Sequence, residues 1–271
     1  MPDNSQIHPF NQAVELVPTS PYTYQGHIPE SYANMVGPFG GIIVAVILNG
    51  ILSHKERQGN PISLTVNFAG PIADAPYDLA VRLMRTNRSN QHWIAELTQG
   101  SQVAATATAV LAIRQETWMM SEARAPDAPR PEEIESWPAP PVPQWIHRYD
   151  FKFIRGELTL SDQLAKDSES LLWVRDKPER MLDFLSLAAI SDVFFPRVFI
   201  RRQQLGVAST VSITTHFHAD YSSLERQANR PILAFARGQR FHRGYFDQVA
   251  ELWSDEGDLL ASSIQMVYFK D

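Results

Sequence analysis

The 271-residue chain has no cysteine. That excludes disulfides, thiolate-ligated zinc and thiol nucleophiles together, and it fits a cytoplasmic location. Long apolar runs are missing as well. The closest approach, Met35–Leu52, is broken by Pro38, four glycines and Asn49, and its solidly apolar part, Ile42–Leu48, is too short to cross a bilayer. The opening residues MPDNSQIHPFNQ carry no basic n-region or apolar h-region, so no secretory signal is expected. Excess positive charge is also lacking. The formal charge is −6 and Arg201-Arg202 is the only adjacent basic pair, so there is no electrostatic footprint for nucleic acid. A local cluster could still hold a small anion, because net charge describes the whole surface rather than one mouth. None of the G-x-S-x-G, G-x-x-x-x-G-K-[ST] or G-x-G-x-x-G signatures occurs. His216 and His218 have same-face strand spacing, but no third ligand stands nearby in sequence, and neither metal nor cofactor is expected.

What is present is a plan repeated twice. GGIIVAVILNGIL is followed by SLTVNFAGPI, PYDLAVRLMRTNRS, HWIAELTQG and QVAATATAVLAIR. MLDFLSLAAISDVFF is followed by ASTVSITTHFHADY, PILAFARGQRFHRG, YFDQVAELWSDEG and LLASSIQMVYFK. Each copy reads as one apolar helix and about four strands joined by turns, with Gly100 and Asp255-Glu256-Gly257 in corresponding tight hairpins. Met1–Val36 adds an edge strand and a lead-in loop. Between the copies, proline density over 116–143 sustains neither helix nor central strand. The expected organisation is therefore an N-terminal domain over 1–115, a linker over 116–143 and a C-terminal domain over 144–271. A helix apolar on nearly all sides has to be buried on all sides. The fold class is thus α+β, and the expectation is a double hot-dog, two antiparallel sheets each wrapped around a central apolar helix. Two ordinary α+β domains, with each helix packed on one sheet face, are the alternative.

Several residues sit where their chemistry is unusual. Asp192, read as the last turn of the second helix, shares a face with Leu185, Ala188 and Ala189. A carboxylate there meets both the apolar side and the unfavourable end of the helix dipole. Two penalties at one position suggest function; a side chain turned to solvent or paired with Arg197 is the equal alternative. Thr210 falls on a strand face with Ala208, Ser212, Thr214, His216 and His218, where threonine is ordinarily just a good β-former. Gln265 interrupts an apolar or small strand, and a buried primary amide must satisfy both donor and acceptor. It could hold a water or tie two strands together. Gly40-Gly41 leave backbone N–H groups at a helix start, suited to an oxyanion or a polarised carbonyl and equally to tight packing.

Taken together, FGGIIVAVILNG, SLTVNFAGPI, RTNRS, ISD, STVSITTHFH and ASSIQ resemble the type II acyl-CoA thioesterase family, from about Met35 to the end without the linker. That resemblance implies a double hot-dog that hydrolyses acyl-CoA to a free acid and CoA. It places the family's Asp, Thr and Gln on Asp192, Thr210 and Gln265, with Asp192 activating a water and Gly40-Gly41 polarising the thioester carbonyl. The chain departs from the family pattern at Ile42, Asn87 and Ser212-Ile213, which leaves the three residues intact and bears on substrate preference. Arg85, Arg88, Arg240 and Arg243 are candidates for the CoA phosphates, although ordinary solvated arginines are the commoner reading. A homodimer or larger assembly is expected. Two other readings are an enoyl-CoA hydratase using Asp192 with His216 or His218, and an acyl-CoA-binding protein without catalysis.

Overall fold

The computed structural model describes residues 7–270. The N-terminal half contains α1 (Pro9–Ala13), β1 (Val17–Ser20), β2 (Thr23–Gly26), α2 (Gly40–Leu52), β3 (Asn60–Phe68), β4 (Tyr77–Thr86), β5 (Asn90–Gln99) and β6 (Gln102–Ala112). The C-terminal half contains β7 (Tyr149–Arg155), β8 (Ser170–Asp176), α3 (Phe184–Ile190), α4 (Arg197–Arg202), β9 (Val207–Phe217), α5 (Tyr221–Gln227), β10 (Ile232–Arg237), β11 (Phe241–His242), β12 (Tyr245–Trp253) and β13 (Leu259–Lys270). Gly100 and Gly257, both at positive φ, make the two tight hairpin turns where they were expected. The N-terminal lead-in supplies two short strands rather than one. The described part of the 116–143 connection is largely irregular and lies along the surface, with Trp137 and Ala139 resting on the main core.

Two separate sheets were expected; the strands instead form one continuous 13-stranded sheet. Its order is β1-β2-β4-β5-β6-β3-β9-β13-β12-β10-β8-β7, with β11 paired to β12. Each half taken alone would end in an unpaired strand, β3 or β9, whose backbone groups would need partners. Antiparallel pairing of Ser63–Asn67 with Ser212–His216 supplies them, and Thr65 Oγ1 and Thr214 Oγ1 bond across the seam at 2.9 Å. Read from β7 inwards, the second half repeats the order of the first.

Helix α2 is buried from Gly41 to Leu48 and again at Gly50 and Ile51. It lies against β4, β5 and α3. The absence of a side chain at Gly50 allows this approach, since a Cβ there would stand 2.5 Å from Leu79 Cδ2. Helix α3 is shorter than its apolar run suggested. It ends at Ile190, because the chain must turn before Pro196 starts α4. Asp192 therefore lies in the turn just past α3 rather than within its last turn. Among the described residues no helix is long and apolar enough to cross a membrane.

Candidate active site

The end of α3 meets the start of α2, and Asp192 stands at that junction. A Cβ on Gly40 would lie 2.5 Å from Asp192 Oδ2, and one on Gly41 would press on Ala189 O and the Phe39 ring. Both glycines are thus required by close approach. The first N–H groups of a helix have no intrahelical acceptor, and that of Gly41 donates to the Asp192 carboxylate. Gly41 was expected to polarise a substrate carbonyl; its N–H serves the aspartate instead. Arg197, the expected alternative partner, turns away. It is fully buried and donates to Phe195 O, Gln248 Oε1, Ser168 O and Ser170 Oγ.

Burial pushes the Asp192 carboxyl up to about 7, even though the Gln265 amide and the Gly41 N–H both stabilise its charged form. The side chain keeps some exposure to solvent. Gln265 is buried and its orientation is set on both sides. Thr210 Oγ1 donates to its Oε1 at 3.3 Å, which turns Nε2 towards Asp192 and towards Ser191 O at 3.4 Å. The three residues singled out in the sequence form one chain of donors, Thr210 to Gln265 to Asp192.

Thr210 reaches this chain through a backbone irregularity that strand alternation misses. In the β9–β13 pair, Ser212 faces Met266 and Thr210 faces Val267, so Val211 is an extra, bulged residue. Below the bulge the inward side chains are Ile213, Thr215 and Phe217; above it they are Thr210 and Ala208. The expected common face with Thr214 and His216 is therefore broken. His216 is exposed on the other face, and His218 bonds Ser262 Oγ at 3.0 Å with its pKa lowered by burial and by the neighbouring His216 and Arg114. Neither histidine joins Asp192. No signal in VASTVSITTHF marks the bulge, since every position in it suits a strand. Among the described residues no three His, Asp or Glu side chains gather as metal ligands.

The same bulge recurs in the first half. In the β3–β6 pair, Pro61 faces Leu111 and Ser63 faces Val110, leaving Ile62 extra. Pro61 thus corresponds to Thr210 and Ala109 to Gln265. Asn49, the one polar side chain in α2, corresponds by pattern to Asp192. Asn49 Nδ2 donates to Val14 O at 2.7 Å, just beyond α1. The start of α3, the counterpart of Gly40-Gly41, is capped by its own Asp183, which accepts from Ser186 N at 2.8 Å. The molecule contains two equivalent positions, and only one has the Asp–Gln–Thr set with an open helix start.

Of the expected CoA arginines, Arg85 and Arg88 lie at the β4–β5 turn, beside the strand ends of the first half, where Asn60 and Asn90 both face Ala112. Arg240 lies just before β11, and Arg243 lies in the β11–β12 turn of the second half.

The fold is that of the hot-dog proteins. Residues 28–112 match the family model of the acyl-CoA thioesterase N-terminal domain, and residues 122–269 that of the acyl-CoA thioesterase C-terminal domain. The chain belongs to the acyl-CoA thioesterase family. It is similar to a crystal structure from Alicyclobacillus acidocaldarius described as a conserved protein of unknown function with hot dog fold. The two share 41% identity over 98% of this chain and 99% of that one, with a TM-score of 0.94. The tesB protein of Mycobacterium avium subsp. paratuberculosis shares the fold at 16% identity, over 97% of this chain and 98% of that one, with a TM-score of 0.78. So does the acyl-CoA thioesterase II TesB2 of Mycobacterium marinum, at 16% identity over 96% and 98% of the two chains and a TM-score of 0.76. No curated protein sequence matches the chain.

Proposed function

We propose that the protein hydrolyses acyl-CoA to a free carboxylic acid and CoA, with Asp192 as general base. The observation that carries this reading is a partly buried carboxyl seated against the Gln265 amide and the Gly41 N–H at the start of α2, where burial pushes its pKa up to about 7. A base poised near neutrality can take a proton from water and return it within one turnover. Asp192 deprotonates a water as that water attacks the thioester carbonyl carbon. The Gly40 N–H, at the positive end of α2, polarises the carbonyl oxygen as it gains charge. The tetrahedral intermediate then collapses, the C–S bond breaks, and the proton held by Asp192 passes to the departing thiolate. Gln265 and Thr210 act by positioning Asp192 and keeping its charged form accessible. The hydratase reading loses support because no histidine reaches Asp192.

The test is free-thiol release from a panel of acyl-CoAs by wild type and Asp192→Asn. The expected loss of kcat is about 10²–10⁴-fold, the range for a general base; a variant that kept most of its activity would overturn the assignment. Unfolding can be separated from loss of the base, because the stability effect has the opposite sign. The folded pKa of Asp192 lies above the unfolded value. Over that interval the native state binds more protons, and stability falls as pH rises from about 4 to about 7. Removing the charge should therefore leave Asp192→Asn at least as stable as wild type above pH 7.

A further inference from the structure

Arg197 opens α4 and is fully buried, and all of its partners are neutral. Its Nε donates to Phe195 O at 3.1 Å and to Gln248 Oε1 at 2.9 Å, and its Nη1 donates to Ser168 O at 2.9 Å and to Ser170 Oγ at 2.8 Å. Nη2 returns to Phe195 O. Burial pushes the guanidinium down to about 9, which leaves it protonated at neutral pH. Burying a cation with no opposite charge beside it costs free energy, so stability alone does not account for an arginine here. What the guanidinium supplies is geometry. Its donors lie in one rigid plane and reach three separate segments of chain.

Two of those segments belong to the site. Asp192 lies in the turn between α3 and Pro196. The near end of that turn is fixed at Ser191 O, which accepts from Gln265 Nε2 and from Ser263 Oγ, both at 3.4 Å. The far end is fixed at Phe195 O, by Arg197. Gln248 stands directly opposite Gln265 in the β12–β13 pair, and both side chains are buried. The guanidinium thus ties the turn that carries Asp192 to the strand beside Gln265. The third segment is itself anchored: Ser170 Oγ donates to Gly156 O at 2.6 Å, and Ser168 Oγ accepts from Gly238 N–H at 3.0 Å.

The first half shows what stands in this place where the Asp–Gln–Thr set is missing. His54 follows Asn49 by five residues, as Arg197 follows Asp192. Trp93 faces Ala109 across β5–β6, as Gln248 faces Gln265 across β12–β13. The His54 and Trp93 rings meet edge to face, with centroids 5.0 Å apart. His54 Nδ1 accepts from Glu56 N–H at 3.2 Å, and its Nε2 bonds no carbonyl among the described residues. Of the two equivalent positions, only the one beside Asp192 has the fork of donors. We propose that Arg197 is a positioning residue for hydrolysis, clamping the turn that presents Asp192 to Gln265 and to the Gly41 N–H. The assignment rests on the thioesterase reading above.

The test is Arg197→Lys, which keeps the charge and loses the fork, made in wild type and in Asp192→Asn. Thiol release from acyl-CoA should show kcat lowered by about ten- to a hundredfold with KM unchanged, since a misplacement of about 1 Å costs up to about a hundredfold. In Asp192→Asn, assayed at high enzyme concentration, the same substitution should cost nothing further, because the clamp acts through Asp192. Gln248→Met takes one acceptor from the fork. It should give a smaller loss of the same kind, and it carries the test if Arg197→Lys does not fold. An unchanged kcat would overturn the clamp. So would an equal loss in both backgrounds, which would mean that Arg197 supports the fold at large. If wild type released no thiol from any acyl-CoA, the thioesterase reading would fail, and the clamp would be judged by carboxyl-carbon NMR of aspartate-labelled protein. The Asp192→Asn spectrum identifies the signal. Loosened contacts to the charged form should move the Asp192 titration to higher pH in Arg197→Lys, and a titration left in place removes the clamp.

Discussion

At the scale of single residues, Asp192 combines two opposing influences. Burial raises its pKa, while the Gln265 amide and the Gly41 N–H lower it, and the balance falls at about 7. Only the ionised form can act as base, so the wild-type rate should rise with pH through the neutral range and level off above it. Gln265→Ala removes a donor to the charged form. The rising limb should then move to higher pH, in addition to any fall in the plateau. Thr210→Val should produce a smaller shift in the same direction, because Thr210 acts on Asp192 only through Gln265. A pH profile of kcat over pH 5–9 checks both, and a limb that stayed in place or moved down in Gln265→Ala would contradict this account. These residue types were legible in the sequence because each is out of place: a carboxylate on an apolar run, a primary amide in an apolar strand. Their partners were legible only in part, Gly40-Gly41 being marked by their place at a helix start. The Ser191 carbonyl that accepts from Gln265 carries no side-chain signature.

At the scale of elements, the bulge at Val211 decides which face Thr210 occupies. Deleting Val211 removes the extra residue and restores one-to-one pairing, with Thr210 still opposite Val267 and Ala208 opposite Phe269 on the inner face. Thiol release by the deletion variant should therefore fall less than in Thr210→Val, with strand content by circular dichroism retained; a fall as deep as in Thr210→Val would show that Thr210 does not keep its inner-face position. The helix-then-strands plan was readable from periodicity because α2 is apolar all round and β4 to β6 alternate or carry small inward residues. Bulges, the early end of α3 and the insertion of α4 were not readable. Each is a local departure chosen by tertiary packing, and the residues involved suit either conformation. Pro61 was the one local hint, since a proline inside a strand marks an edge or a bulge. Its meaning emerges only when β3 is set beside β9.

At the scale of the whole molecule, two halves of like design share one sheet and complete one site. Gly40 and Gly41 come from the first half, and Asp192, Thr210 and Gln265 from the second, so under the proposed mechanism the pairing of α2 with α3 and of β3 with β9 is a condition of activity. Two separate sheets would have lacked this dependence, and sequence reasoning could not foresee the seam, since any strand edge can accept any other. The second equivalent position differs in more than its three side chains. Asn49 is bonded to the segment after α1, and the Asp183 carboxylate occupies the helix start that would have to receive a carboxylate placed in α2. Like charges at one helix terminus oppose each other. Introducing Asn49→Asp, Pro61→Thr and Ala109→Gln into the Asp192→Asn protein should therefore not restore hydrolysis. Thiol release at high enzyme concentration is the measurement. Turnover recovered by that quadruple variant would mean that the side chains alone distinguish the halves. Its continued absence would place the difference in the helix start, where Gly40-Gly41 leave room for a carboxylate and Asp183 already supplies one.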